Sequence, residues 1–221
     1  MPTSAGERRG PGQPDGIRRV NVGCGPEHLL SDWWNVDIRS FAGVDQTVDV
    51  TEQWPWRDRL EYVYGEHFLE HLTVSQALNF FVHAGNALEP GGRIRLTTPS
   101  LEWVLTTHFN LAARDPATRM SQTWAINRAF HGWGHQFLYS KEMLLSFITG
   151  TGFESPMIWD YGESATLELK NLERHAGWNV SDGYPSVWIA EAMRGAKPIA
   201  LTDDLVRDAE KNYVTYVRSG H

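Results

Sequence analysis

The chain has 221 residues, 41% hydrophobic and 21% charged, which is enough apolar material for one core and too little length for two full catalytic domains. Its formal charge is −7, from 20 Lys+Arg against 27 Asp+Glu, and no stretch gathers the basic residues that track phosphates, so nucleic acid is excluded as the first partner to consider. No run approaches the roughly 18 apolar residues of a membrane span, and MPTSAGERRGPGQPDG has no signal-peptide apolar region; the expectation is a cytoplasmic chain with no membrane contact.

Residues 1–16, rich in Gly, Pro and polar side chains, are expected to form a disordered tail, and 17–221 a single domain. Ile17, Val20 and Val22 begin a short strand that stops at Gly23-Cys24-Gly25-Pro26. Trp34 to Ile38 makes a second strand carrying Asp37 near its end, and Val44 to Val50 a third carrying Asp49. Leu60 to Tyr64 is a fourth strand. Leu69, Leu72, Leu78, Phe81, Val82 and Leu88 then recur at near-helical spacing, predicting a helix over 68–88 that ends at Pro90-Gly91-Gly92. Arg93 to Thr98 alternates as a fifth strand closed by Pro99.

Leu101 to Ala113 is helix-like, Asp115-Pro116 reads as a breaker, and the Trp- and His-bearing stretch to Tyr139 reads as an insertion. Ser140 opens a capped helix stopped by Gly150-Thr151-Gly152. Strands follow at 153–161 and 186–193, then a charged, partly amphipathic helix over 201–217. Strands alternating with helices imply an α/β sheet of parallel units, with ligands at the carboxyl ends of the strands.

Glycines let a backbone approach a ligand closely, yet a Gly-x-Gly turn also occurs in many loops that bind nothing. The nicotinamide pattern G-x-G-x-x-G lacks its third glycine here, because Pro26, Glu27 and His28 follow Gly25; a pyrophosphate is disfavoured. Asp37, at the end of the next strand, is placed to accept two hydrogen bonds from ribose hydroxyls, which points to a nucleoside. Asp49 suits an adenine amino group or is simply an exposed loop carboxylate. Cys24, the single cysteine, has no basic neighbour in sequence to activate it and forms no internal disulfide.

Taken as an ordered set, these residues resemble the class I S-adenosylmethionine-dependent methyltransferases, and within them the small type-11-like enzymes. The matching segments are Val20 to Gly25, Trp34 to Ile38, Glu66-His67-Phe68-Leu69-Glu70-His71-Leu72, Leu88 to Arg93, His135 to Ser140 and Gly150 to Phe153. The resemblance implies a Rossmann-like seven-stranded, mostly parallel sheet flanked by helices; the insertion at about 101–139, after strand five, and residues 161–185 are long enough to build lid elements. It implies S-adenosyl-L-methionine as cofactor, bound by Asn21, Gly23, Cys24, Gly25, Asp37, Ile38, Asp49, Val50, Glu66 and His67. Two positions depart from the family pattern: Asn21 stands where an acidic residue is frequent, and Pro26-Glu27 where a further glycine is.

His67 and His71 lie four apart, as in the metal helix H-E-x-x-H, but the string is H-F-L-E-H and Glu70 is displaced by one position; no metal is expected. His135, then His131 and His67, are the candidates for general base or acceptor orientation, since an imidazole titrates near neutral pH; loop histidines are also commonly inert. Trp133, Tyr139, His175 and Glu163 are the candidate substrate contacts. The reading is methyl transfer to O or N of a small molecule, a natural product or sugar-like acceptor, with no nucleic acid. The alternatives are non-catalytic use of the cofactor, as in a cyclase, or a non-enzymatic partner subunit; a homodimer stays open.

Overall fold

The computed structural model describes residues 16–174 and 179–219. Seven strands form one sheet: β1 Arg19–Val22, β2 Trp34–Asp37, β3 Gln46–Thr47, β4 Leu60–Glu66, β5 Leu88–Pro99, β6 Phe153–Trp159 and β9 Val187–Arg194, in the order β3-β2-β1-β4-β5-β9-β6. A two-stranded hairpin, β7 Val180–Ser181 with β8 Tyr184–Pro185, lies outside it. All pairs from β3 to β5 are parallel, and β9 runs antiparallel to both β5 and β6. Parallel neighbours need crossovers, so the carboxyl ends of β1, β2, β4 and β5 gather at one edge with their following loops.

Strand alternation sorts the sheet into two faces. Val20, Val22, Val63, Ile94, Leu96, Ala190 and Ala192 join one core with Phe80 and Phe81 of helix α1 (Val74–Ala87) and Leu144 and Phe147 of helix α4 (Lys141–Gly150). On the other face Tyr64 packs with Leu30, Trp33, Leu169 and Leu172. There Arg95, fully buried, faces its register partner Glu191 and bonds it, and its Nε donates to Glu173 Oε1 at 2.6 Å. Residues 161–174 therefore pack against this face of the sheet through Leu169, Leu172 and Glu173.

Two helix boundaries differ from expectation for stated reasons. Helix α1 begins at Val74, because Thr73 and Gln76 form a reciprocal capping box, and Leu69–His71 before it is a separate short 3-10 turn. Asp115-Pro116 starts an element where a break was expected: Asp115 caps helix α3 (Pro116–His131) through a bond from the Thr118 N–H at 2.7 Å, and Pro116 takes the first helical turn, where its missing N–H costs nothing. With α2 (Leu101–His108), α3 encloses a small core of Val104, Ala129 and Leu138. The chain ends in α5 (Asp203–Ala209), a π-helical turn over Glu210–Val214, and α6 (Thr215–Ser219). No described helix is long and apolar enough to cross a membrane.

Candidate functional site

At the end of β1 the chain turns at Gly23 with φ +58°, and a Cβ there would meet Phe68 Cβ at 2.6 Å, so only glycine fits. Two residues on, the Gly25 N–H donates to Asp37 Oδ2 at 3.0 Å, while Asp37 Oδ1 accepts from the Arg39 N–H at 2.9 Å. The last side chain of β2 is thus locked onto the turn after β1. It faces a cavity of about 450 Å³ whose wall also includes Gly23, Gly25, Ile38, Val50, Glu66 and His67. Ile38 stands 65% exposed beside this buried carboxylate, an apolar side chain left largely uncovered. Asp49 also reaches the wall, but its Oδ1 accepts from the Thr51 N–H at 2.9 Å and from the Thr51 hydroxyl at 2.7 Å, which makes it a turn former as well. Glu66, the last residue of β4, is buried, accepts the Arg174 N–H at 2.9 Å and lies 3.2 Å from His28 Nδ1.

A second cavity of about 470 Å³ opens past the end of β5, beneath the insertion, lined by Glu70, Trp103, Val104, His108, His135 and Val187. His67, His71 and Trp133 line both cavities. His67 (φ +50°) and Trp133 (φ +57°) hold left-handed backbone that side chains other than glycine rarely adopt, and both strained positions fall at this junction. Burial pushes the fully enclosed Glu70 carboxyl up, but the hydrogen bond and charge of His67, a backbone hydrogen bond and the charge of His71 more than offset it and hold it below the usual range. His135 Nδ1 lies 2.8 Å from the Ala129 carbonyl; a carbonyl only accepts, so Nδ1 carries the proton and Nε2 the lone pair. The His135 ring stands 5.1 Å from that of His71 and 5.7 Å from that of Trp133. A wider groove of about 880 Å³ runs along Arg18, Trp33 and Arg174 at the amino ends of β1 and β2, away from the glycine turn and Asp37.

Several expected contacts fall elsewhere. Asn21 is fully buried and spends its amide hydrogens on the His28 carbonyl at 2.7 Å and Asn35 Oδ1 at 2.9 Å; it braces the loop behind the cavity and does not line it. Cys24 is buried behind the turn, and burial, aided by the Asp37 charge, pushes its thiol up to about 11. His131 is exposed at the end of α3 and lines neither cavity. Tyr139 is a core residue against Phe137 and Phe147, its phenol pushed up by burial. Glu163 is exposed and paired with Lys170 at 3.0 Å. His175 lies outside the described residues. His28, Glu70, Trp103 and His108 were not singled out as site residues from sequence, and His71 was weighed only against His67; for Glu70 and His71 the available signal was the Glu66 to Leu72 segment itself.

No protein-family model and no curated protein matches the chain. Among solved structures, an S-adenosylmethionine-dependent methyltransferase from Mesorhizobium loti matches with TM-score 0.50 at 15% identity, over 81% of this chain and 91% of that one. A methyltransferase of the same cofactor class from Thermotoga maritima matches with TM-score 0.53 at 14% identity, over 80% of this chain and 81% of that one. Phosphoethanolamine N-methyltransferase 2 of Haemonchus contortus, in complex with S-adenosyl-L-methionine, gives TM-score 0.48 at 13% identity, and the match spans 50% of its length. The likeness is one of fold: strand order and the antiparallel β9 are those of the Rossmann-like class I methyltransferase sheet.

Proposed function

We propose that the protein binds S-adenosyl-L-methionine in the first cavity and transfers its methyl group to an oxygen or nitrogen of a small molecule held in the second. The observation that carries this reading is the junction: two cavities of similar size share His67, His71 and Trp133 at the carboxyl ends of the parallel strands. A methyl donor and its acceptor require such adjoining compartments, because the displacement is in line and gains most from alignment.

The first cavity suits a nucleoside by its own chemistry. Asp37 accepts the ribose hydroxyls with the lone pairs that Gly25 and Arg39 leave free, and exposed Ile38 and buried Val50 cover the base. Glu66, the other buried carboxylate on the wall, takes the ammonium end of the cofactor. The bound cofactor supplies an electrophilic methyl on a sulfonium. The chain's part is to exclude water with the insertion and to hold the acceptor atom at His135 Nε2, whose lone pair the Ala129 carbonyl fixes. Trp103, Trp133 and His108 offer flat, amphipathic faces to the acceptor, which with the net charge of −7 supports a natural product or sugar-like compound over a polyanion.

Calorimetric titration with S-adenosylmethionine, S-adenosylhomocysteine and NAD tests the cofactor assignment. Micromolar affinity for the first two and none for NAD is expected. Absence of binding to the first two sinks the reading. Release of S-adenosylhomocysteine on mixing with hydroxylated and aminated acceptors, with a product heavier by one methyl, then separates transfer from non-catalytic use.

A further inference from the structure

We propose that Glu70, His71 and His135 form a divalent transition-metal site at the junction of the two cavities, with open coordination positions for an oxygen-bearing ligand in the second. One ligand atom from each of the three residues lies within 4.8 Å of the others. Metal–nitrogen distances of about 2.0–2.1 Å bring tetrahedral ligands to roughly 3.4 Å of one another, so closure needs only a small side-chain adjustment, available to the exposed His71.

Each of the two anchored ligands is already oriented as metal ligands are. His135 donates Nδ1–H to the Ala129 carbonyl at 2.8 Å and leaves Nε2 for the ion; a ring nitrogen engaged with a backbone carbonyl is the usual outer support of a metal-bound imidazole. The carboxylate of Glu70 accepts from the Thr98 hydroxyl on Oε2 at 3.1 Å and meets His67 Nδ1 at Oε1, 3.2 Å away. Its backbone is fastened to the His135 loop as well, because the Gln136 and Phe137 N–H groups donate to the Glu70 carbonyl at 2.7 and 3.2 Å. The two ligands that lie far apart in the chain are therefore held together without any metal.

Glu70 is fully buried, and its carboxylate meets the Thr98 hydroxyl and His67 Nδ1. Buried carboxylates are paired or coordinate metals, and Glu70 lies where an ion held by His71 and His135 meets it. Two imidazoles and one carboxylate favour zinc, manganese, cobalt or iron in the divalent state over magnesium or calcium, which prefer all-oxygen shells. This departs from the expectation of no metal, which rested on the His67–His71 spacing; the fold pairs His71 with His135 instead. The existence of the site is independent of methyl transfer, whereas its use rests on the function proposed above: with the ion bound, His135 Nε2 is a ligand, and the ion in place of the ring grips the acceptor oxygen beside the cofactor.

The test is metal uptake by chelator-stripped full-length protein, measured without cofactor so that its outcome is separate from that of the cofactor titration. Zinc is expected to bind at one ion per chain, and cobalt to give visible absorption typical of imidazole ligation. His71→Ala and His135→Ala should each abolish stoichiometric uptake, Thr98→Val should weaken it about 10-fold, and His83→Ala, on α1, should leave it unchanged. Because His71 is exposed, its variant keeps the test valid should Glu70→Gln fail to fold. Failure of the stripped protein to take up zinc or cobalt, or uptake that survives both histidine variants, overturns the site.

Discussion

Asp37 is the side chain on which the cofactor assignment turns. Asp37→Ala removes the proposed ribose acceptor together with the brace on Gly25, and is expected to weaken S-adenosylmethionine binding by about 1.5–3 kcal/mol, the range for hydrogen bonds to a charged group; calorimetry reads it directly. His135→Ala should cut turnover by roughly 10²-fold with cofactor affinity nearly intact, measured as separate kcat and Kd values. Cys24 offers a check on burial alone. Its thiol is raised, so the unfolded chain releases this proton first as pH climbs, and stability falls from pH about 9 until the folded thiol titrates at about 11. The loss is about 2–3 kcal/mol, and Cys24→Ala should flatten that alkaline limb in denaturant titrations. The turn after β1 and the position of Asp37 at the end of β2 were legible because short-range chain geometry sets them, whatever they bind. Tyr139, Glu163 and Asn21 were misplaced because whether a polar side chain faces a cavity, the core or solvent is decided by packing that no local string carries.

At the scale of elements, strands with alternating burial and helices with an apolar face were readable, and helix α3 was not. Its surface is largely polar and exposed, leaving no periodic stripe to detect, and its start signal, Asp115-Pro116, has the same spelling as a break. Capping is what separates the two cases. The corresponding start of α1 rests on Thr73, and Thr73→Ala should cost about 1 kcal/mol of stability, read as a lowered denaturation midpoint with an unchanged slope. The insertion built from α2 and α3 has its own small core, so its helices hold a shape over the second cavity instead of trailing as loop.

For the molecule as a whole, the buried Arg95 with Glu173 and Glu191 ties residues 161–174 to the sheet, and the same segment delivers the Arg174 N–H to Glu66. Arg95→Ala leaves two carboxylates enclosed without their cation and is expected to cost about 3–5 kcal/mol, seen in thermal or denaturant unfolding. That a charged trio would sit inside the sheet was beyond sequence reading, since its members come from three separate segments joined only by the fold; the pairing of His71 with His135 was hidden for the same reason. The junction itself has a thermodynamic corollary. His67, His71 and Trp133 belong to both cavities, so a ligand in one touches side chains that also line the other. Under the proposed function, linkage requires that any factor by which the cofactor changes acceptor affinity equal the factor by which the acceptor changes cofactor affinity, so each affinity would be quoted with the occupancy of the other cavity.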